Sequence, residues 1–132
     1  MLQIVSLPQD IIETPVAVEE EQSSFHGYAV EAIYSIPSRS TPKTTLCSCV
    51  SYAKWYLDRE GETWGNAGAI KPVYDEPKID RIILLHEGKY GHVGIVTDYT
   101  EDTVTFTEAN YVRCTETART IEKTDYRIKG YR

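Results

Sequence analysis

Residues 47–56 read CSCVSYAKWY, and this stretch does more than any other to decide the fold. From Cys49 onward apolar residues recur at helical spacing, with Val50 and Ala53 on the same stripe. Ser48 is a suitable N-cap, so Cys49 is expected to be the first residue of the helix. The stretch therefore predicts a thiol at a helix N-terminus.

The chain that follows residue 77 has the patterns of β-strands, rich in β-branched residues and often alternating. The predicted strands cover residues 81–86, 92–99, 103–110 and 127–131, and the middle two form a hairpin. With the helix, which is predicted over about residues 49–59, they indicate an α+β domain. We expect an N-terminal helix that carries the cysteine and packs on a mainly antiparallel β-sheet.

The first third of the chain is harder to interpret. Residues 1–44 are predicted to be an N-terminal extension and lead-in, because prolines and the acidic run 19–21 interrupt its first part. Within it, residues 28–36 fit a helix or a strand equally well. Residues 45–132 are predicted to form the functional domain.

Composition excludes several classes of partner. A net charge of −6 over 132 residues argues against nucleic acid and against electrostatic docking to anionic lipid. No apolar run approaches the roughly 20 residues of a membrane span, so no membrane insertion is expected. The first residues also lack the basic and apolar regions of a secretory signal, and no export signal is expected.

The chain has three cysteines, and this odd number disfavours a full disulfide framework. A Cys47–Cys114 bridge would leave Cys49 free, but a fully reduced protein is the favoured expectation. A zinc site is disfavoured, because Cys47 and Cys49 are too close for the usual ligand spacing and no second pair matches them. No metal and no cofactor are expected.

Two later segments supply chemical partners for Cys49. Residues 91–96 read GHVGIV and contain His92, whereas residues 108–111 read EANY and contain Glu108 and Asn110. A cysteine, a histidine and a carboxylate or amide on separate elements are what nucleophilic attack on an amide needs.

Strand geometry allows these groups to meet. Glu108 and Asn110 continue the face of Val104 and Phe106, which is expected to be the buried face of its strand. A three-residue hairpin loop would pair His92 with Asn110, and a five-residue loop would move the pairing towards Glu108. Gly94, which shares a face with His92, is expected to leave room for the cysteine helix.

Each group has a role in such chemistry. A helix N-terminus and a nearby imidazolium favour the thiolate of Cys49, which would attack the carbonyl carbon. His92 would protonate the leaving amine, and Glu108 or Asn110 would accept the other imidazole N–H. The backbone N–H of Cys49 could bind the oxyanion. Cys47 is the competing candidate for the nucleophile.

Taken in order, the segments 49–54, 64–67, 91–96 and 108–111 resemble the CHAP family of cysteine, histidine-dependent amidohydrolases/peptidases. The resemblance covers residues 45–132 and implies a papain-like fold. It also implies a peptidoglycan hydrolase that cleaves the muramoyl-L-alanine amide or a peptide bond. Matched by motif, Cys49 is the nucleophile, His92 the base, and Glu108 and Asn110 the polar partners.

The resemblance carries further expectations. Trp64, Asn66 and Tyr111 are predicted substrate contacts, although Trp64 fits a core anchor equally well. The acidic calcium-binding segment of some members has no counterpart before the cysteine. The expected partner is bacterial peptidoglycan, joined by other virion proteins if the chain is a virion-associated lysin. The expected location is the cytoplasm of the producing cell or the virion, with action at the cell wall.

Two other functions compete with a phage lysin. One is a non-catalytic structural or binding module of a phage or cell-envelope assembly that retains the CHAP fold. The other is a cysteine amidase that acts on a different amide, because a catalytic triad specifies the reaction type and leaves the substrate open. The sequence does not specify the scissile bond, the host or the oligomeric state.

Overall fold

The computed structural model of the protein describes residues 32–36 and 41–132. Its main elements are β1 (Ala32–Ser35), α1 (Cys49–Tyr56), β2 (Ile82–Leu85), β3 (His92–Tyr99), β4 (Thr103–Ala109), β5 (Glu116–Glu122) and β6 (Ile128–Tyr131). Two short 3₁₀ helices lie at Lys43–Thr45 and Ala67–Ala69. The strands form one sheet in the order β1-β5-β4-β3-β2-β6, and all neighbouring pairs are antiparallel. The predicted α+β class, with a helix near its start and a mainly antiparallel sheet, is confirmed.

The helix begins where the sequence predicts. Ser48 has extended backbone angles, and its Oγ accepts a hydrogen bond from the backbone N–H of Ser51 at 3.1 Å. This N-cap makes Cys49 the first helical residue. The helix ends at Tyr56, earlier than the predicted residue 59, and Asp58 just beyond it has a positive φ of 60°. Across the described ranges, no helix has the length and apolarity needed to span a bilayer.

Apolar side chains fill both faces of the sheet. The cluster on the helix side contains Ala53, Ala67, Ile70, Ile82, Leu84, Val93 and Ile95. The cluster on the opposite side contains Ile83, Leu85, Val96, Val104, Phe106, Ile121 and Tyr131. Because successive strand residues point to opposite faces, β2 and β3 contribute to both clusters.

The expectation that only one face of β4 is buried is wrong. Thr105 and Thr107, on the other face, are 1% and 2% exposed. The hydroxyls of Thr107 and Tyr52 lie 2.8 Å apart, and those of Thr105 and Thr120 lie 2.7 Å apart. The threonines are buried without unsatisfied hydroxyls, because α1 and β5 supply hydrogen-bond partners.

The sequence pattern does not predict β5, which lies between β1 and β4. Its alternation is obscured by Glu116 and Arg119, two charged residues of a kind that is seldom buried. Here they are 7% and 0% exposed. A buried arginine in a central strand needs partners, and those partners form part of the site described below.

The edge strand β1 lies within the stretch 28–36, whose sequence fits a helix or a strand, and pairs with β5. It stands on the N-terminal side of the predicted boundary at residue 44. The sheet therefore includes a segment from the predicted extension. The division at residue 44 itself stays a prediction, and the acidic run 19–21 falls outside the described residues.

Two irregularities set the register of the β3–β4 hairpin. Tyr99 pairs with Val104, so the pairing is offset by one residue from that of the predicted loop, and a bulge between Val96 and Asp98 cancels the offset. Extended to the start of β3, the register beyond the bulge sets His92 level with Asn110. This is the pairing predicted for the three-residue loop, but here it results from an offset at the turn combined with a bulge.

The prediction that Gly94 makes room for the cysteine helix is wrong. The helix packs on the face that carries Val93, whereas a Cβ at Gly94 would point to the other face. That Cβ would lie 2.7 Å from Cδ2 of Phe106 and 3.0 Å from the backbone oxygen of Thr107. Gly94 therefore makes room for Phe106 in the second cluster.

We expect Gly94→Ala to lower the free energy of unfolding by about 1–3 kcal/mol, the usual effect of overpacking a filled core. Urea unfolding followed by circular dichroism measures the change. Gly61→Ala is the matched control, because a Cβ there has no neighbouring atom within 4 Å. Equal stability of the two variants would contradict this packing.

Candidate active site

Cys49 lies half-buried on the wall of a cleft of about 610 Å³. The cleft lining also includes His92, Asn110, Tyr111 and Asn66. The fold therefore brings together five of the residues that the sequence singles out, although they come from four separate segments.

The cysteines do not follow the favoured expectation of a reduced protein. Cys47 and Cys114 form a disulfide, which is the alternative pairing, and Cys49 remains a free thiol. The bridge joins the loop before α1 to the loop that follows β4. Since its sulfur is in the disulfide, Cys47 is excluded as the competing nucleophile in this structure.

The side chain of Asn110 forms hydrogen bonds with both loops that the disulfide joins. Its Nδ2 donates to the backbone oxygen of Cys47 at 3.2 Å, and its Oδ1 accepts from the backbone N–H of Cys114 at 2.7 Å. Asn110 has a φ of 69°, a left-handed conformation that asparagine tolerates well. The Asn110 amide thus holds these two loops together through contacts with their backbone.

Glu108 is the residue that contacts the histidine. The Nε2 of His92 lies 2.7 Å from Oε1 of Glu108, and these residues are 7% and 0% exposed. An ionised carboxylate only accepts hydrogen bonds, so Nε2 must carry a proton. This leaves Nδ1 as the ring nitrogen that can exchange a proton with the Cys49 thiol, which contributes to the raised pKa of His92.

This environment favours a protonated His92. Burial by itself would lower the pKa of His92, but hydrogen bonds to Cys49 and Glu108 and the charge of Glu108 raise it to about 9. An imidazolium at neutral pH is the partner that a thiolate requires.

Glu108 in turn depends on Arg119. Its Oε2 accepts from Nε of Arg119 at 2.8 Å and from Oγ1 of Thr117 at 3.1 Å, and its Oε1 accepts from Nη2 of Arg119 at 2.8 Å. Burial would raise the pKa of Glu108, but the charge of Arg119 and hydrogen bonds to His92 and Arg119 lower it to about 2. The carboxylate therefore stays ionised although it is fully buried.

Arg119 is not among the predicted site residues, and the one signal for it in the sequence is Glu108 itself. A carboxylate that continues an apolar stripe needs a buried cation, because an unpaired buried charge is costly. The sequence does not say which arginine or lysine supplies that cation.

The cysteine helix is held in place by Tyr52, which is fully buried. Its hydroxyl hydrogen-bonds to Thr107 of β4 and donates to the carboxylate of Glu116 in β5. These contacts lie three residues beyond Cys49, so they tie the reactive end of α1 to the centre of the sheet.

The predicted substrate contacts occupy different places. Asn66 and Tyr111 line the cleft, whereas Trp64 lines a separate depression and packs against the helix-side cluster. The Nε1–H of Trp64 donates to Oε1 of Glu62 at 3.0 Å. A substrate role for these three residues stays a prediction.

Two glycines allow the loop before His92 to pack against the short helix that follows Asn66. A Cβ on Gly91, which has a φ of 83°, would lie 2.6 Å from the backbone nitrogen of Gly68. The Gly68 N–H donates to the backbone oxygen of Tyr90 at 2.6 Å. The loop that precedes β3 thus packs directly on the Ala67–Ala69 helix.

Within the described part of the chain, no three His, Cys, Asp or Glu side chains are grouped to hold a metal ion.

The shifted pKa values predict how stability depends on pH. The contribution of His92 is complete below its ordinary pKa of 6.5 and is lost as the pH rises through about 9. That of Glu108 is complete above its ordinary pKa of 4.5 and is lost as the pH falls through about 2.

We therefore expect these two groups to contribute fully only between about pH 4.5 and 6.5. Thermal unfolding measured across this range and above it tests the alkaline decline. His92→Gln should flatten the decline between pH 6.5 and 9. Parallel pH profiles for the wild type and the variant would contradict the raised pKa.

Comparison with solved structures gives a likeness of fold. A structure described as the crystal structure of Ly7917 is similar with a TM-score of 0.53 and 21% sequence identity. The alignment covers 64% of this chain and 52% of that chain, so the present chain spans about half the length of the structure that it matches. No curated protein sequence matches the chain.

The family model of the CHAP domain matches residues 40–110, more than half of the chain. The matched region includes α1, β3 and β4, the elements that carry Cys49, His92 and Glu108. The sheet-and-helix architecture fits the papain-like fold of this family. The chain belongs to the CHAP family, whose members are generally cysteine- and histidine-dependent amidohydrolases.

Proposed function

We propose that the protein hydrolyses an amide bond of bacterial peptidoglycan, either the N-acetylmuramoyl-L-alanine amide or a peptide bond, with Cys49 as nucleophile. The observation that carries this proposal is the placement of Cys49 and His92 in one cleft, with Glu108 buried and bonded to His92. CHAP family membership supports peptidoglycan as the substrate class.

The first half of the reaction transfers the acyl group to the enzyme. The Cys49 thiolate attacks the amide carbonyl carbon and forms a C–S bond. The tetrahedral intermediate collapses as the C–N bond breaks, and the proton on Nδ1 of His92 moves to the leaving amine. The products are a free amine and a thioester on Cys49.

The second half restores the enzyme. Nδ1 of His92, now unprotonated, accepts a proton from water as the water oxygen attacks the thioester carbonyl. The C–S bond breaks, a carboxylic acid leaves, and the thiolate–imidazolium pair of Cys49 and His92 is restored. Glu108 keeps its hydrogen bond to Nε2 throughout, and so fixes the tautomer and the ring orientation.

The N-terminus of α1 can stabilise the oxyanion. The first backbone N–H groups of an α-helix have no acceptor within the helix, and here they belong to Cys49 and Val50. The helix dipole adds partial positive charge at the same place. Both effects favour the thiolate before attack and the carbonyl oxygen after it.

Within this proposal, residues 45–132 are the catalytic unit, and Asn66 and Tyr111 on the cleft wall contact the substrate. We further propose that the chain is a phage lysin or virion-associated lysin, carried in the producing cell or the virion and acting at the bacterial cell wall. This setting is supported by the family resemblance, and the chemistry of the site does not depend on it.

Fragment release from purified peptidoglycan tests the proposed function. Mass spectrometry of the soluble products would be run for several wall chemotypes. Cys49→Ala should reduce release by at least about 10³-fold, because it removes the nucleophile. The fragment masses would name the bond.

The matched control is the double variant Cys47→Ala/Cys114→Ala, which removes the disulfide without adding a free thiol. It should keep most of the release at a temperature where it remains folded. Undiminished release by Cys49→Ala would contradict the nucleophile assignment. No release by folded wild type from any wall would favour the non-catalytic module instead.

A further inference from the structure

Arg119 lies behind the proposed catalytic residues and is not itself part of the cleft lining. It is fully buried in β5, between Glu108 on one side and Glu87 on the other. We propose that Arg119 is a positioning residue for the reaction, which holds Glu108 against His92 and fixes Tyr111 beside the imidazole. This inference rests on the proposed function for its consequence in catalysis.

The guanidinium determines how the carboxylate of Glu108 is turned. Nε and Nη2 of Arg119 donate to Oε2 and Oε1 of Glu108, each at 2.8 Å. This two-point contact removes rotation of the carboxylate about its own axis. With Thr117 also bonded to Oε2, Oε1 is the oxygen that faces His92.

Arg119 is itself held from the opposite side. Its Nη1 and Nη2 donate to the two carboxylate oxygens of Glu87 at 2.9 and 2.8 Å. Nη1 of Arg127 donates to Oε2 of Glu87 at 3.1 Å. Charges of alternating sign thus run from His92 to the protein surface, which offsets the cost of burying the arginine.

The guanidinium of Arg119 also stacks against an aromatic ring. Its Cζ lies 3.4 Å from the centroid of the Tyr111 ring, within the range of a cation–π contact. The rings of Tyr111 and His92 have centroids 6.0 Å apart. Arg119 therefore supports both neighbours of the imidazole, the carboxylate and the aromatic ring of the cleft wall.

Lysine cannot reproduce this arrangement. Its ammonium is a compact charge that lacks the planar fork needed to bridge Glu108 and Glu87 at once. We expect Arg119→Lys to keep part of the electrostatic effect and to lose the orientation. Arg119→Met removes both.

The test is the pH dependence of Cys49 alkylation by iodoacetamide, read by mass spectrometry of the labelled peptide. Its acidic limb reports formation of the thiolate–imidazolium pair. We expect this limb to move to higher pH by about one unit in Arg119→Met and by less in Arg119→Lys. At a pH below the midpoint of the acidic limb in both proteins, alkylation should be about 10-fold slower in Arg119→Met, as a shift of about one unit requires.

Three further variants separate positioning from a purely structural role. Glu87→Gln loosens the outer anchor of Arg119 at a less buried position, and should shift the limb in the same direction even if Arg119→Met does not fold. On a Glu108→Gln background, Arg119→Met should add little, because Arg119 acts through Glu108. Arg59→Lys changes an exposed arginine and should leave the profile unchanged.

The proposal would be overturned if folded Arg119→Lys and Glu87→Gln both had the pH profile of the wild type. It would also be overturned if Arg119→Met had its full effect on the Glu108→Gln background. The alkylation assay contains no peptidoglycan, so its outcome is independent of the substrate. If the protein releases no fragments from peptidoglycan but the acidic limb of the alkylation profile shifts, the positioning role of Arg119 is supported and the substrate assignment is wrong.

Discussion

The ion pair of Glu108 and Arg119 is the interaction on which the site depends. Both side chains are fully buried, and a buried charge without a partner would destabilise the fold by several kcal/mol. Pairing them keeps Glu108 ionised, and Cys49 and the ionised Glu108 together raise the pKa of His92. The charge state at the cleft therefore depends in part on β5, a strand that has no residue on the cleft wall.

The fold positions this chain of charges by three separate constraints. Tyr52 attaches the start of α1 to β4 and β5, so that Cys49 stays at the end of the sheet. The offset at the turn and the bulge in the β3–β4 hairpin cancel, which leaves His92 and Glu108 on the same face. The Cys47–Cys114 disulfide fixes the loop before α1 to the loop after β4. The first and the last of these constraints join elements that are distant in sequence.

Local features of this structure could be predicted from the sequence, and long-range features could not. The Ser48 cap, the helix start and the existence of the β3–β4 hairpin depend on neighbouring residues, and all three were predicted correctly. Strand β5 was hidden because Arg119 is stable there only through partners in two other segments. Similarly, Asn110 is level with His92 but does not contact it, because Asn110 has a left-handed backbone and its amide bonds to the loops of Cys47 and Cys114. Glu108 is the partner of His92 instead. The disulfide depended on the loop after β4, which brings Cys114 to the start of the helix.

Measuring the protonation state of His92 tests most directly whether the buried Glu108–Arg119 pair controls the charge at the cleft. Nitrogen-15 NMR titration of the imidazole, assigned by comparison with His92→Gln, reports the protonation of both ring nitrogens. This account predicts that His92 stays doubly protonated at neutral pH and titrates near pH 9. It also predicts that Glu108→Gln lowers that value, because the buried acceptor loses its charge. A wild-type His92 that titrates near its ordinary pKa of 6.5 would contradict control of its charge by the buried Glu108–Arg119 pair.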